Sequence, residues 1–261
     1  MGQPVFRFAP SPNGELHLGH AFSALLNARM AEEAGGRFLV RIEDTDLTRC
    51  TAALTAGMLE DLAWLGLRWE EPVRRQSEHF ADYDANLAKL WQMKKLYPCF
   101  CSRKTAIAQA LTTRDPDGQP HYGGACRLLS RAHAESRSAA GEQHGWRLDM
   151  KACNDLAADQ WGDMMIAKKG VGSYYHIAVV TDDHLQGITH VVRGKDIEAA
   201  TPLHQLLQRL LGFGSPHYRH HDLILDGEGQ KLSKSLKSTS LKALRGTGVR
   251  PGEIRRRLGF V

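Results

Sequence analysis

The sequence predicts an α/β fold with a parallel sheet, and its first 42 residues supply the main evidence. Residues 5–9 form a short apolar stretch that predicts a strand, and Pro10 ends it because proline lacks a backbone N–H. The next segment carries apolar residues at helical spacing: Leu18, Phe22, Leu25, Leu26 and Met30. Gly35 ends this helix, and residues 37–42 predict a second strand. This order indicates a βαβ unit, in which the two strands are parallel.

The remaining elements continue the α/β pattern around one unusual segment. Apolar spacing predicts helices over residues 51–66, 80–96 and 202–211, and strands over residues 145–149, 164–168, 174–181 and 187–193. The chain from 97 to 145 is polar and rich in Gly, His and Arg, which indicates an insertion. We therefore expect a catalytic domain in two halves, an insertion between them and a tail, with these bounds: 1–96, 97–145, 146–235 and a short basic helical tail at 236–261.

The composition is typical of a soluble globular protein, for which an enzyme is the default expectation. The chain has 261 residues and a net charge of +5, and no apolar run approaches the roughly 20 residues of a membrane helix. The N-terminus lacks the apolar core of a signal peptide, so we expect a cytoplasmic location. Lys and Arg are frequent from Lys231 onward, where Glu253 is the one acidic residue, and such a basic end suits an RNA backbone.

Two short motifs at opposite ends of the chain point to ATP. His17 and His20 lie three residues apart in the first turn of a helix, where backbone N–H groups favour phosphates, and Gly19 leaves room for a nucleotide. Lys231 and Lys234 flank Ser233 in a loop that could stabilise charge on the α-phosphate. Alone, each motif has an ordinary alternative: exposed histidines on an amphipathic helix, or a solvated lysine loop. The sequence contains no GxxxxGK[ST] phosphate loop.

Three cysteines in the predicted insertion suggest a metal site. Cys99, Cys101 and Cys126 supply three thiolates, and zinc usually takes four ligands. His121 and Tyr122 lie close before Cys126, and histidine is the more usual ligand of the two. The alternative is that the thiols are buried or idle.

Four ordered motifs identify a family resemblance that covers nearly the whole chain. They are residues 7–20 (RFAPSPNGELHLGH), residues 41–46 (RIEDTD), residues 190–194 (HVVRG) and residues 231–235 (KLSKS). Together they resemble class I glutamyl-tRNA synthetases. The resemblance implies a Rossmann-like parallel-sheet catalytic domain with a small zinc-binding insertion. It also implies activation of L-glutamate with ATP and Mg²⁺, followed by transfer to a tRNA.

The residue types fit an amino acid with two carboxylates and one ammonium. Arg7 and Arg193 are suited to carboxylates, and Glu43, at the end of a strand, is suited to the ammonium. In the family the corresponding glutamate-binding residues are Arg7, Phe8, Ala9, Pro10, Ser11, Glu43, Tyr175 and Arg193. Substrate contact and a structural salt-bridge network are equally good interpretations of Arg41, Asp44 and Asp46. By the same resemblance His17, His20, Lys231 and Lys234 act in catalysis.

A group of short paralogs within this family resembles the chain still more closely. Their C-x-C…Y-x-x-x-C pattern implies one structural zinc held by Cys99, Cys101, Tyr122 and Cys126. Only 26 residues follow Ser235, so we expect no separate anticodon-binding domain. These paralogs attach glutamate to the queuosine base at the first anticodon position of tRNA(Asp). The resemblance therefore implies that the catalytic domain docks on the anticodon stem-loop, and we expect a monomer.

Three other functions remain as alternatives. The first is a truncated synthetase that charges the 3′ end of tRNA(Glu). The second is a non-catalytic tRNA-binding paralog, which intact ATP and glutamate motifs disfavour. The third is a nucleotidyltransferase with another acyl acceptor, which the set of Arg7, Glu43 and Arg193 disfavours.

Overall fold

The computed structural model describes residues 2–168, 174–224 and 239–260. The strands are β1 (Val5–Phe8), β2 (Arg37–Ile42), β3 (Glu70–Arg75), β4 (Leu96–Cys99), β5 (Gly145–Leu148), β6 (Met165–Lys168), β7 (His190–Gly194) and β8 (His217–His221). The helices are α1 (Leu18–Glu33), α2 (Ala52–Trp64), α3 (Phe80–Gln92), α4 (Arg103–Ala108), α5 (Arg131–Ala139), α6 (Met150–Cys153), α7 (Tyr175–Leu185), α8 (Thr201–Leu211), α9 (Leu241–Gly246) and α10 (Pro251–Arg257). The lysine motif at 231–235 and the turn before it lie outside the described residues.

The chain forms two compact units. The first comprises Met1–Glu78, Leu185–Glu198 and Pro216–Val261, and the second comprises His79–His184 and Ala199–Ser215. Residues 97–145 fall within the second unit, which begins earlier and ends later than that range. The division into a split catalytic domain, an insertion and a tail stays a prediction.

The first unit contains a five-stranded sheet whose pairs are all parallel. The strand order is β3-β2-β1-β7-β8, so β1 is central and pairs with β2 on one side and β7 on the other. Helix α1 connects β1 to β2, which confirms the predicted βαβ unit. Apolar residues of α1, α2 and the central strands pack into one core with Leu241, Ile254 and Phe260 from the C-terminal helices and chain end. This parallel-sheet architecture confirms the predicted α/β fold.

The second unit contains a three-stranded antiparallel sheet. Strand β5 pairs with β4 and β6, and its first residue, Gly145, lies opposite Cys99 and Lys168. A separate core of α3, α7, α8 and their neighbours supports this unit. A smaller apolar cluster at the end of β4 includes Cys99, Tyr122 and Cys126. None of the helices in the described parts of the chain is both long and apolar enough to span a bilayer.

The predicted strand over residues 174–181 is wrong, because α7 occupies this segment. The β-branched residues Ile177, Val179 and Val180 favour a strand by propensity. Every residue from His176 to Asp183 is buried, however, so packing from all sides fixes the segment as a helix. Hydrogen bonds to α3 support it: Asn86 donates to Thr181 at 2.9 Å, and Tyr83 donates to Asp182 at 3.0 Å.

Candidate active site and metal centre

The two histidines of the N-terminal motif cap helix α1. The backbone N–H of Gly19 donates to Nδ1 of His17 at 3.1 Å, and the N–H of His17 donates to Nδ1 of His20 at 3.2 Å. The two rings lie 3.9 Å apart, centre to centre. Since each Nδ1 accepts a hydrogen bond, the proton of each neutral ring lies on Nε2. The cap therefore prepares two Nε2–H donors at the positive end of a helix, which suits a phosphate ligand.

Glycine at position 19 has a structural reason that the sequence did not reveal. A Cβ atom built on Gly19 would lie 3.0 Å from Cε1 and 3.2 Å from Nδ1 of His17. Real Cβ atoms rarely approach a neighbour this closely, so a side chain here would push the His17 ring out of its capping position. The predicted contact between Gly19 and ATP stays a prediction.

The chain segment that follows the lysine motif lies beside the histidines. Ser240, five residues beyond Ser235, forms an isolated antiparallel bridge with His17. The backbone N–H of Leu241 donates to the carbonyl of Leu16 at 2.8 Å. Lys231 and Lys234 themselves lie outside the described residues. The described flank of the motif is thus anchored at the start of α1.

Three charged residues predicted to bind glutamate occupy the carboxyl ends of neighbouring strands. Arg7 lies in β1, Glu43 directly follows β2, and Arg193 lies in β7. Both arginines are buried, each 5% exposed. The backbone N–H of Glu43 donates to the carbonyl of Pro10 at 3.0 Å, which joins the segments that leave β1 and β2. Ligands of open parallel sheets bind at this edge, so the topology brings these three residues to the usual location.

Buried polar partners hold two of these side chains. Arg41, which is fully buried, donates to Glu43 Oε1 and to Gln186 Oε1, both at 3.1 Å. Arg193 Nε donates to Nε2 of His220 at 3.4 Å. Burial, and then the Arg193 cation, lower the pKa of His220, so this ring is neutral and accepts at neutral pH.

The acids after Glu43 organise the loop in which they lie. Asp44 accepts from the backbone N–H and the hydroxyl of Ser77, both at 2.8 Å, and so links the ends of β2 and β3. Asp46 accepts from the backbone N–H and hydroxyl of Thr48 and from Arg49. The Thr48 hydroxyl and the Arg49 guanidinium lower the pKa of Asp46 to about 2. These contacts account for both carboxylates structurally, which favours the network interpretation.

Tyr175, the tyrosine predicted to bind glutamate, is the first residue of α7 in the second unit. Its ring lies 5.0 Å from that of His176 and 5.9 Å from that of His204. These two histidines share a buried hydrogen bond of 3.0 Å between Nδ1 and Nε2. The role of Tyr175 in glutamate binding stays a prediction.

The three predicted zinc-binding cysteines come together in the second unit. The sulfur atoms of Cys99, Cys101 and Cys126 all lie within 4.8 Å of one another. The hydroxyl of Tyr122 lies 3.2 Å from Cys101 Sγ and accepts from the N–H of Cys126 at 3.0 Å. In a tetrahedral zinc site with Zn–S bonds of about 2.3 Å, sulfur atoms are about 3.8 Å apart. The cluster therefore fits a zinc ion without a change of chain path.

The structure separates the two candidates for a fourth ligand. Tyr122 is buried within the cluster, and the Arg147 guanidinium lies 4.1 Å from its ring centre. His121 uses both ring nitrogens elsewhere: Nδ1 with the Thr113 hydroxyl at 3.0 Å and Nε2 with the Gln160 carbonyl at 2.9 Å. This geometry favours Tyr122 over His121.

The pKa values within the cluster shift in opposite directions, and burial raises that of the Tyr122 hydroxyl. Burial opposes ionisation of Cys126, but hydrogen bonds from Tyr122 and from the Phe100 N–H outweigh it and lower its pKa. Burial raises the pKa of Cys101 to about 11. Only the thiolate binds a metal, so the lowered pKa of Cys126 favours its metal-binding form, whereas Cys101 must lose its proton when an ion binds.

The comparisons with known proteins agree with the fold and these motifs. Residues 5–260 match the family model for the catalytic domain of class I tRNA synthetases (E and Q). A glutamyl-Q tRNA(Asp) synthetase of Rhodobacter capsulatus is 41% identical, over 98% of this chain and all of its own. Glutamate–tRNA ligase 2 of Syntrophus aciditrophicus is 34% identical, over 95% of this chain and 55% of its own. The crystal structure of the glutamate–tRNA synthetase from Elizabethkingia anophelis superposes with a TM-score of 0.75 at 27% identity, over 90% of this chain and 53% of that one.

The chain therefore belongs to the class I tRNA synthetases for glutamate and glutamine. It is an ATP-dependent ligase, and its activity is of the glutamate–tRNA ligase type. Within the family it is similar both to proteins named glutamyl-Q tRNA(Asp) synthetase and to glutamate–tRNA ligases. It spans about half the length of those ligases.

Proposed function

We propose that this protein activates L-glutamate with ATP and transfers it to the queuosine base at the first anticodon position of tRNA(Asp). The observation that carries this proposal is the 41% identity, over 98% of the chain, to a relative named for that reaction. The carboxyl edge of the parallel sheet supports it, because buried Arg7 and Arg193 and the tethered Glu43 suit an α-amino dicarboxylate. The protein acts as a monomer on the anticodon stem-loop.

The first step is attack of the glutamate α-carboxylate on the α-phosphorus of ATP. A C–O–P bond forms, the bond from the α-phosphorus to the bridging oxygen breaks, and pyrophosphate leaves. Mg²⁺ bound to ATP would neutralise part of the charge on the phosphates. The Nε2–H groups of His17 and His20 stabilise charge on the phosphates, together with Lys231 and Lys234. The substrate supplies the nucleophile, so the protein contributes position and charge.

In the second step a hydroxyl of the acceptor attacks the acyl carbon of the glutamyl-adenylate. An ester bond forms, AMP leaves, and the hydroxyl proton passes to the AMP phosphate or to water. Queuosine carries a cyclopentene ring with a cis-diol, which resembles the terminal ribose used by ordinary synthetases. The same catalytic groups therefore suit either acceptor.

The zinc ion has a structural role in this proposal. Cys99, Cys101, Tyr122 and Cys126 would hold it with four protein ligands, which leaves no position for a substrate. When bound, the ion supplies the cross-link that fixes the end of β4 to the turn at Cys126.

One transfer assay separates the candidate acceptors. The protein is incubated with labelled glutamate, ATP and tRNA(Asp) that either carries or lacks queuosine, and with tRNA(Glu). We expect label only on queuosine-containing tRNA(Asp), in the anticodon fragment after nuclease digestion. Label at the 3′ end of tRNA(Glu) would instead support the truncated-synthetase alternative, which the 34% identity to a glutamate–tRNA ligase favours.

Lys234→Ala should abolish pyrophosphate exchange with the fold intact, and normal exchange would contradict the proposed contact of Lys234 with the phosphates.

A further inference from the structure

A cavity of about 560 Å³ lies in the second unit beside the cysteine cluster. This volume is within the range of small-molecule binding sites, roughly 300–1,000 Å³. Its walls come from the end of β4, helix α4, the start of β5 and the end of β6. Among its lining side chains are six aromatic, cationic or amide groups that could contact a ligand: Phe100, Arg103, Gln143, His144, Arg147 and Lys168. Neither the proposed chemistry nor the zinc ligation uses these six residues.

The described lining of the cavity is positively charged. Arg103, Arg147 and Lys168 line it, and none of its described lining residues is Asp or Glu. Arg103 and Lys168 are exposed and form no ion pair within the described parts of the chain. Arg147 donates to the Asp163 carbonyl at 2.7 Å, which fixes its guanidinium in the wall. Cys99, Cys101 and Tyr122 also line the cavity, and three thiolates around one Zn²⁺ would leave a net charge of about −1, so the three cations keep the lining positive.

Phe100 and His144 line the cavity and contact two further side chains, Trp146 and Arg137, that are not among its lining residues. The rings of Phe100 and His144 lie 5.3 Å apart, and His144 lies 5.2 Å from Trp146. The Arg137 guanidinium lies 4.0 Å from the centre of the Phe100 ring. His144 donates from Nδ1 to the Glu142 carbonyl at 3.0 Å, so Nε2 of the neutral ring is an acceptor. The exposed amide of Gln143 adds a donor and an acceptor at the rim.

Flat rings, hydrogen-bonding groups and cations together suit a nucleotide. Single-stranded nucleic acids bind by base stacking on aromatic groups and by phosphate contact with Lys and Arg. An acidic peptide would use the cations but would gain little from the rings. Arg103 and Lys168 stand exposed at the rim, which leaves a path for a polymer to enter and leave.

We propose that this cavity binds an unpaired nucleotide of the tRNA substrate, with its phosphate near Arg103 and Lys168 and its base against Phe100 and His144. The identity of the RNA rests on the proposed function, whereas the location of the site does not. The cavity thus adds an RNA contact in the unit that holds the cysteine cluster.

The neighbouring residues Arg103 and Lys104 offer a matched pair of variants. Both are exposed cations of α4, and only Arg103 lines the cavity. Arg103→Glu and Lys104→Glu change the net charge equally. We expect Arg103→Glu to weaken binding of tRNA(Asp) about tenfold and to reduce the salt dependence of binding by about one phosphate contact. Lys104→Glu should change the affinity by about twofold or less, because the remaining effect is screened. Equal losses in the two variants would overturn the proposal.

Crosslinking tests the same site directly. After ultraviolet irradiation of the wild-type complex, trypsin should yield RNA-linked peptides that span residues 96–103 or 138–147, which contain Phe100 and His144. Crosslinks confined to other peptides would overturn the proposal. Crosslinks to these peptides from free ATP, with none from tRNA, would assign the cavity to a free nucleotide and would also overturn it.

These results are distinguishable from a failure of the proposed function. If wild-type protein transfers no glutamate to queuosine but Arg103→Glu still binds tRNA more weakly than Lys104→Glu does, only the proposed function fails. If wild-type protein modifies queuosine and the two variants bind alike, only the cavity proposal fails.

Discussion

The parallel sheet of the first unit and the cysteine cluster of the second unit place their chemical groups by different means. Arg7, Glu43 and Arg193 lie at the ends of neighbouring strands, so backbone pairing fixes their positions. Cys99, Cys101 and Cys126 come from a strand end and a short turn, and the described contacts that join them, partly through Tyr122, all involve a side chain. We therefore expect the sheet to hold its groups in place without a ligand, and the cluster to depend on the proposed zinc ion.

Removal of a proposed zinc ligand should produce the largest difference in stability between the two regions. Cys99→Ser is expected to reduce bound zinc from one ion per chain to nearly none and to expose residues 97–130 to protease. Structural zinc contributes about 10 kcal/mol or more to the folding of small zinc domains. The first unit holds none of the proposed ligands and should keep its protease resistance. Metal analysis and limited proteolysis give the measurements.

Matched variants sharpen this test. Cys153→Ser changes a cysteine outside the cluster and should leave the zinc content unchanged. Tyr122→Phe should lower zinc affinity, and His121→Gln should not, because His121 is bound to Thr113 and Gln160. A normal zinc content in Cys99→Ser would show that the ligand set is wrong.

The next largest effect is expected at the buried ion pair of the parallel sheet. Arg41→Met would remove the buried cation that lies 3.1 Å from Glu43, and loss of one member of a buried pair costs about 3–5 kcal/mol. Urea unfolding of this variant should show a lower free energy of unfolding. Arg41→Met combined with Glu43→Gln should recover part of that loss, since the carboxylate charge is removed together with the cation. Equal stability of the wild-type and Arg41→Met proteins would mean that the strand ends do not depend on this pair.

A smaller effect is expected in how the stability of the first unit depends on pH. Burial raises the pKa of Asp61 to about 6, although Arg245 lies 3.3 Å from its carboxylate. The folded state then binds more protons than the unfolded state between pH about 4 and 6. Stability should therefore fall as the pH rises through this window, by about 2 kcal/mol.

The matched variant for this titration is Asp61→Asn, which should flatten that part of the stability curve. Urea titrations at several pH values measure both proteins. The lowered pKa of Asp46 acts in a separate window, from pH about 2 to 4, where stability rises with pH. A decline between pH 4 and 6 that persists in Asp61→Asn would exclude Asp61 as its source.

The cap of α1 should show the smallest change in stability, together with a large change in activity. His17→Ala removes a helix cap and should cost about 1 kcal/mol. Asn is a good capping residue, so His17→Asn should restore the stability. Neither variant keeps the Nε2–H donor, and pyrophosphate exchange should fall about 100-fold in both. Full exchange in His17→Asn would limit the role of His17 to the cap.

Prediction from sequence succeeded for the central strands and failed for the edge strands. The strands β1, β2 and β7 are buried and apolar, so their residue types report their position. The edge strands β3 and β8 read EEPVRR and HYRHH, and both are polar, with every residue exposed or only partly buried. Edge strands tolerate charged side chains because they pair with another strand along only one of their two backbone edges. Their residue pattern therefore resembles that of a loop.

The cavity residues were also invisible in the sequence. Arg103, His144 and Lys168 are far apart along the chain and have no motif spacing. Antiparallel pairing of β5 with β4 and β6 brings their segments together. Periodicity within one segment carries no information about such pairing, so only the folded chain revealed this site.

The sequence by itself determined the βαβ start of the sheet, the family, and the three clustered cysteines, because each depends on local periodicity or on a short motif. The tertiary structure decided that α7 is a helix, that Arg41 holds Glu43, that His17 and His20 cap α1, and that His121 is occupied elsewhere. The physical reason is that burial and hydrogen-bond partners depend on residues distant in the chain. Local propensity cannot report which of two neighbouring side chains, Tyr122 or His121, turns toward the sulfur atoms.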